Sequence, residues 1–223
     1  MSNNNNSSKV NPENNRNVEQ QKAIESLLLK FELFKSISEE ELSSLSKKTK
    51  LLNFEIGSSL SQIQYIPSNV LFIIKGEGRL LASDAKSNFT VCKLGEGSIV
   101  GLSSILIGQA CENVISSIQL SALSIPDELI LNLYLKNESV KKWCDENIFP
   151  GEIAYLTDLL IKKSPRTDIN FRQAFSILFK TSKIKNINNN QKININPDEY
   201  VLTLSKNIKN HEIGDELINN ETI

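Results

Sequence analysis

The residues best placed to do chemistry lie between positions 101 and 112. Gly101 opens a segment with hydroxyls at Ser103 and Ser104, and a thiol and a carboxyl follow at Cys111 and Glu112. A serine or cysteine acts as a nucleophile when a base activates it, and the only histidine of the sequence lies near the C-terminus. Hydrolase chemistry is therefore disfavoured, and we expect no catalytic residues and no enzyme activity.

The cysteines point away from metal and redox chemistry. Cys92, Cys111 and Cys144 are far apart and form no CxxC pair, so we expect no metal site, no disulfide framework and no cofactor. The acid at Glu112 should raise the pKa of the neighbouring Cys111 thiol, which favours a packing or loop-shaping role for this cysteine. Cys92 and Cys144 are predicted to be core residues.

Charge and hydropathy exclude several classes of protein. The chain has 25 Lys and Arg against 26 Asp and Glu, a net charge of -1, which makes nucleic acid an unlikely partner. No stretch approaches the roughly 20 apolar residues that a membrane helix needs, and residues 1–10 lack the apolar region of a signal peptide. The sequence therefore predicts a cytoplasmic protein with no membrane insertion.

The elements that must position residues 101–112 are short strands. Alternation at Leu52, Phe54 and Ile56 predicts a half-buried strand, and the apolar run 70–74 with its glycine turn predicts a hairpin to 80–82. Further strands are predicted at 89–94, 114–117 and 120–125. Short strands at intervals of roughly ten residues, separated by glycine turns, indicate an antiparallel sandwich or barrel.

Helices are predicted on both sides of this β region. Apolar residues from Ile24 to Phe31 recur at helical spacing, and Ser38 with Glu41 has the spacing of a capping box at the start of a second helix. Later helices are predicted from Pro126, around 140–144, over 151–163 and over 171–179, and a strand at 200–204. We predict a disordered tail at 1–20, a domain at 21–164, and a partly ordered extension at 165–223 with no clear helix-turn-helix.

The order helices, strands, helices resembles that of cyclic-nucleotide-binding domains. The residues that carry the resemblance are Gly57, the segment 70–76, and Leu-Gly-Glu-Gly at 94–97 followed by Gly101, within residues 28–162. The resemblance implies a mainly β fold with flanking α-helices, a double-stranded β-helix or jelly-roll-like β-roll. It also implies a cassette that holds a cyclic phosphate on the amides of a helix N-terminus.

The residues of this cassette depart from those of nucleotide-binding relatives. There, a glutamate follows the cassette glycine and an arginine lies about ten residues further on; here Leu102 and Cys111 occupy those positions, and Glu112 places an acid where the phosphate would lie. Losing a charge-assisted pair costs on the order of 1.5–3 kcal/mol. The candidate ligand-binding positions are Gly101, Leu102, Ser103, Cys111 and Glu112, and a cyclic nucleotide is disfavoured. Arg79 or Lys93 is the alternative source of a counter-charge.

A narrower resemblance concerns residues 101–123. Gly-Leu-Ser-Ser-Ile-Leu-Ile-Gly at 101–108, followed by Cys111, Glu112 and the Ser-Ser pair at 116–117, is similar to the N-terminal module of cyanobacterial peptidase-containing ABC exporters of toxins and bacteriocins. The resemblance implies a regulatory or sensor module with a protein partner in an export system. The alternative is a transcription regulator of the catabolite-activator type that has lost or altered its DNA-binding part.

The helix at 151–163 is a candidate surface for a homodimer. Its apolar residues Ile153, Leu156, Leu159 and Leu160 recur at helical spacing, and helices at this position often mediate dimerisation in relatives. Whether a small molecule binds in the roll stays open at this point.

Overall fold

The computed structural model of the chain describes residues 12–83, 87–187 and 191–219. The helices are α1 (Pro12–Leu28), α2 (Glu39–Lys48), α3 (Leu102–Ile107), α4 (Asp127–Lys136), α5 (Glu138–Glu146), α6 (Pro150–Lys163) and α7 (Phe171–Thr181), with a 3-10 turn at Glu32–Phe34. The strands are β1 (Lys50–Phe54), β2 (Ser59–Ser61), β3 (Asn69–Lys75), β4 (Gly78–Ser83), β5 (Asn88–Leu94), β6 (Ile99–Val100), β7 (Val114–Ser116), β8 (Leu120–Pro126), β9 (Val201–Leu202) and β10 (Glu216–Leu217). No helix within these residues is long and apolar enough to cross a membrane.

Two antiparallel four-stranded sheets form the centre of the molecule. Their strand orders are β1-β8-β3-β6 and β2-β7-β4-β5, and β9 and β10 pair separately. The predicted fold class, mainly β with flanking α-helices, is confirmed.

The predicted hairpin between 70–74 and 80–82 is wrong. β3 pairs with β6 and β8, whereas β4 pairs with β5 and β7, so the glycine turn carries the chain from one sheet to the other. Gly76 has φ +94°, and a Cβ atom there would lie 2.4 Å from the Gln119 carbonyl oxygen. Such a close approach admits only glycine. The hairpin that forms is β4–β5, whose connection includes residues 84–86, outside the described residues.

β1 is more exposed than its alternating pattern predicts. Leu51 is 49% exposed and Leu52 36%, and Ile56 is also exposed. The strand lies at the edge of its sheet and pairs only with β8, so it has a neighbour on one side only. The predicted strand is confirmed and Phe54 is half-buried, but the predicted half-burial is wrong for Leu52 and Ile56, because an edge position lacks the flanking side chains of a second neighbour.

The first helix begins earlier than predicted. α1 starts at Pro12, so residues 12–20 are helical and the predicted disordered tail is wrong for them; residues 1–11 lie outside the described residues. Glu, Gln, Lys and Arg are good helix formers, and a helix anchored at its buried Leu28 end can extend through them. The predicted capping box at α2 is confirmed, since the Ser38 N–H donates to Glu41 Oε2 and the Glu41 N–H donates to Ser38 Oγ.

Three apolar clusters hold these elements together. The first packs the helices against one face of the β1-β8-β3-β6 sheet, with Phe72 in contact with Phe31 and Phe34. The second lies between the two sheets, and Ile153 of α6 and Phe175 of α7 belong to it. The third is small and is built on Ile107, Cys111 and Ile213. The two C-terminal helices thus help to fill the space that the strands enclose.

Candidate functional site

The short helix α3 starts at a glycine that the local packing requires. Gly101 has φ +94° and precedes Leu102, and a Cβ atom at Gly101 would lie 2.9 Å from Pro67 Cγ and 3.1 Å from the Asn69 carbonyl oxygen. α3 ends at Gly108, which also has a positive φ. Both turns therefore need residues that tolerate left-handed backbone, and the sequence supplies glycine at each.

Glu112 places a carboxyl group on the first turn of α3. The side chain is buried, with 4% of the residue exposed. The Gly101 N–H donates to Glu112 Oε2 at 2.5 Å, and the Ser103 hydroxyl donates to Glu112 Oε1 at 2.6 Å. Two donors that a bound anion could use at this helix start, the Gly101 N–H and the Ser103 hydroxyl, are therefore already engaged by the chain itself.

The same carboxyl group lies against the start of α6. A Cβ atom built on Gly151 would lie 2.2 Å from Glu112 Cγ and 2.6 Å from Glu112 Oε1. Glu152, 3% exposed, turns back along α6, and its Oε1 accepts the Phe149 N–H at 2.8 Å. Two buried carboxyl groups thus lie near the joint between the cassette and α6.

Burial changes the acidity of both groups. Burial raises the pKa of Glu112, against the lowering effect of its bonds from Ser103 and Gly101. Burial also raises the pKa of Glu152 to about 7; its bond from the Phe149 amide lowers it, and the charge of Glu112 raises it further. Each carboxyl therefore holds its proton to a higher pH than an exposed glutamate does.

Cys111 is a buried thiol surrounded by hydroxyls. Its Sγ lies 3.4 Å from Ser103 Oγ and 3.3 Å from Ser104 Oγ, and its N–H donates to Ser104 Oγ at 3.1 Å. Burial, followed by the charge of Glu112, raises the pKa of the thiol far above its ordinary value. A thiol in this environment is a packing group and a poor nucleophile. Burial likewise raises the pKa of Cys92 to about 11 and that of Cys144 to about 12.

The structure brings four of the five predicted site residues together. Gly101 and Ser103 donate to the Glu112 carboxyl group, and Cys111 contacts the Ser103 hydroxyl. Leu102 is fully buried in the cluster between the helices and the first sheet, so it contributes to the core.

The two alternative counter-charges lie elsewhere. The Lys93 ammonium is 3.2 Å from Glu77 Oε1. Arg79 pairs with Lys93 across β4 and β5, and its neighbour Leu80 is in the core between the sheets, so Arg79 lies on the opposite face of β4. Neither cation meets the Glu112 carboxyl.

Sequence reasoning missed the contribution of the C-terminal half. Gly151 and Glu152 border Glu112, and the Pro-Gly-Glu order at the start of α6 signals a helix N-terminus but gives no sign of this contact. The segment 201–217, which includes β9 and β10, also meets the cassette. The Lys206 N–H donates to the Ile107 carbonyl at 3.2 Å, and Ile213 packs on Ile107 and Cys111.

Comparison with known proteins gives matches in structure alone. No family model and no curated protein matches the sequence, whereas 375 chains of solved structures do. The sensor domain of the transcriptional regulator DNR from Pseudomonas aeruginosa is 12% identical, with a TM-score of 0.52 over 68% of this chain and 99% of that one. The regulatory subunit of a cAMP-independent protein kinase A from Trypanosoma cruzi, bound to guanosine, is 11% identical, with a TM-score of 0.51 over 74% of this chain and 51% of that one.

These similarities define the class of fold. The chain spans about half the length of the kinase regulatory subunits it matches. At these identities the likeness concerns architecture, and the architecture is the β-roll of cyclic-nucleotide-binding domains with flanking helices.

Proposed function

We propose that the protein is a non-catalytic regulatory or sensor module whose cassette does not bind cyclic AMP in the usual way. The observation that carries the proposal is the buried Glu112 carboxyl, which accepts both the Gly101 N–H and the Ser103 hydroxyl. A cyclic phosphate in the cassette would compete for these donors. When the Glu112 carboxyl is ionised, it also repels the phosphate, since two unit charges about 4 Å apart repel by about 4 kcal/mol at an effective dielectric constant near 20.

The filling of the roll supports the same proposal. Ile153 and Ala154 of α6 and Phe175 of α7 pack with strand residues of both sheets. A nucleotide between the sheets would have to displace these side chains, and displacing buried apolar groups costs on the order of 1.5–3 kcal/mol each. The module is thus expected to act through its surfaces.

The test is a thermal-shift and calorimetric titration of the full chain with cyclic AMP and cyclic GMP, with guanosine as the control that lacks a phosphate. We expect no shift with either cyclic nucleotide at millimolar concentration. A ligand at 100 times its dissociation constant would add about 2.7 kcal/mol of stability, which is readily detected. A clear shift with cyclic AMP or cyclic GMP that guanosine does not reproduce would overturn the proposal.

The proposed partner is a protein of an ABC-type peptide or toxin export system, in the cytoplasm. Support comes from the residues at 101–123 that resemble the N-terminal module of such exporters. Co-purification of the full chain with the membrane and ATPase parts of an exporter from the same cells tests this association. Failure of the two to co-purify under mild detergent would remove it.

The alternative is a transcription regulator with a lost or altered DNA-binding part. The similarity to a regulator's sensor domain favours it. Within the described residues after Pro165, α7 is the one helix, and a helix-turn-helix needs two. Salt-dependent binding of duplex DNA, measured by fluorescence anisotropy, would favour a regulator with an altered DNA-binding part, because the export module is expected to show no such binding.

A further inference from the structure

Two carboxyl groups are buried at the joint between the cassette and α6 without a cation beside them. Glu112 and Glu152 are each more than nine-tenths buried, and Gly151 between them touches Glu112. In every ion pair among the described residues, the acidic partner is a residue other than Glu112 and Glu152. A buried carboxylate without a cation is costly, and two close together are costlier, so a proton is the natural way to neutralise them.

The groups that face this pair are neutral or acidic. The start of α3 contributes the Gly101 N–H and the Ser103 hydroxyl to Glu112. The charges of both carboxyl groups raise the pKa of the Cys111 thiol. The charge of Cys111 in turn raises the pKa of the Tyr155 hydroxyl of α6. Farther out, Tyr155 also meets the charges of three residues, namely Asp158, Lys162 and Glu212.

The one cation of this set is already engaged. The Lys162 ammonium lies 2.6 Å from Asp158 Oδ2 at an exposed position. It therefore leaves the charge on Glu112 and Glu152 uncompensated.

We propose that Glu112 and Glu152 form a proton-dependent latch between the cassette and α6. The proposal rests on the proposed function, because both depend on the Glu112 carboxyl that accepts the Gly101 N–H and the Ser103 hydroxyl. With a proton on the pair, α6 lies on the cassette as the structure shows. With both groups ionised, two negative charges repel across Gly151 and the joint loosens.

The direction of the pH effect follows from linkage. Both carboxyl groups have a raised pKa in the folded protein, so the folded state binds protons more tightly than the unfolded chain does. Their contribution to stability is greatest below the ordinary glutamate value of 4.5 and falls as pH rises from there through about 7, the pKa of Glu152. Acid pH is therefore expected to stabilise the contact between the cassette and α6.

The experiment is urea unfolding of the full chain at pH values from 5 to 8.5. The variants are Glu112→Gln, Glu152→Gln and the double variant; Glu96→Gln, at an exposed turn position, is the control. For the wild type and the control, we expect the unfolding equilibrium constant to rise with pH by up to about tenfold per unit for each proton released. Glutamine keeps the shape and hydrogen-bonding capacity of a protonated glutamate, so the double variant should lose most of this dependence.

Hydrogen exchange of the wild type gives a second test, which does not require any variant to fold. In the wild type, amide exchange in α3 and α6, corrected for the intrinsic effect of pH, should increase from pH 5 to pH 8 more than exchange in α2 does. Equal pH dependence in these helices, or equal unfolding slopes in the wild type and either foldable glutamine variant, would overturn the latch. Binding of a cyclic nucleotide would overturn the proposed function. The latch itself is decided by the pH dependence of unfolding and of hydrogen exchange.

Discussion

At the scale of single residues, the contact between Gly151 and Glu112 explains why α6 tolerates a glycine in its first turn. Alanine is preferred over glycine in a helix by about 1 kcal/mol. At this position, however, a methyl group would occupy the space of Glu112 Cγ and Oε1. The glycine at position 151 therefore leaves free the space that the Glu112 carboxyl group occupies.

We predict that Gly151→Ala destabilises the protein by about 1–3 kcal/mol in spite of its better helix propensity. The added methyl forces Glu112 away from the Gly101 N–H, which leaves a buried carboxyl with one donor fewer. Equilibrium denaturation measures the loss.

Two further variants make this measurement specific. Gly95→Ala is the matched control, since a Cβ atom there meets nothing within 4 Å, and it should be nearly neutral. Combining Gly151→Ala with Glu112→Ala removes the clash. The double variant should therefore lose less stability than the sum of the losses in the two single variants. Additive losses would contradict the predicted contact.

The sequence allowed part of this site to be predicted. The positions of Gly101, Ser103, Cys111 and Glu112 followed from motif order, and the structure brings them together. The contact with Gly151 joins residues distant in sequence, and no local pattern records it. The contact between Glu112 and Gly151 can be recognised only when the path of α6 is known.

At the scale of elements, α3 is held at both of its ends. Its first turn donates to Glu112, and the carbonyl of its last residue, Ile107, accepts the Lys206 N–H. The second contact is supported by Ile213, which packs on Ile107, and by the ion pair between Lys163 and Asp215 at 2.9 Å. The C-terminal segment 201–217 thus couples α6 to the cassette helix.

We predict that Ile213→Ala loosens the end of α3 as well as its own segment. Truncating a buried isoleucine costs about 2–5 kcal/mol when the whole protein must unfold to expose it. Hydrogen exchange should increase in α3 and in 201–217 and stay unchanged in β3. The control is Ile177→Ala, since Ile177 is exposed on α7. Faster exchange confined to 201–217 would mean that the segment does not support the cassette.

Most elements were predictable because their periodicity is local. The capping box of α2, the strands at 89–94 and 120–125 and the helix at 171–179 all appear close to the expected bounds. The hairpin at Gly76 was mispredicted because turn residues report the backbone conformation but not which sheet receives the next strand. Partners across sheets are set by packing between distant residues.

At the scale of the whole molecule, part of the apolar face of α6 is covered within one chain. Of the four residues on which the predicted homodimer rests, Ile153 and Leu156 are buried, and Leu159 packs with the cluster built on Ile107, Cys111 and Ile213. Leu160 is half-buried. Homodimerisation stays a proposal, and Ile153 is the residue of this face least able to contribute to it.

We predict that Ile153→Ala lowers stability by about 2–5 kcal/mol without changing the mass of the particle. The residue is a core group, because it packs between the two sheets. Denaturation and light scattering on the same samples distinguish a core residue from a residue of a dimer contact. Leu135→Ala, at a highly exposed position of α4, should change stability by less than about 0.5 kcal/mol. A variant of full stability and half the particle mass would restore this face as a dimer contact.

The pairing of β1 with β8 sets an order in which the chain can fold as it is synthesised. Lys50 pairs with Ser124 and Phe54 with Leu120, so β1 has no partner strand until residues 120–126 have left the ribosome. At about 5–20 residues per second, the backbone donors and acceptors of β1 therefore wait several seconds for their partner strand.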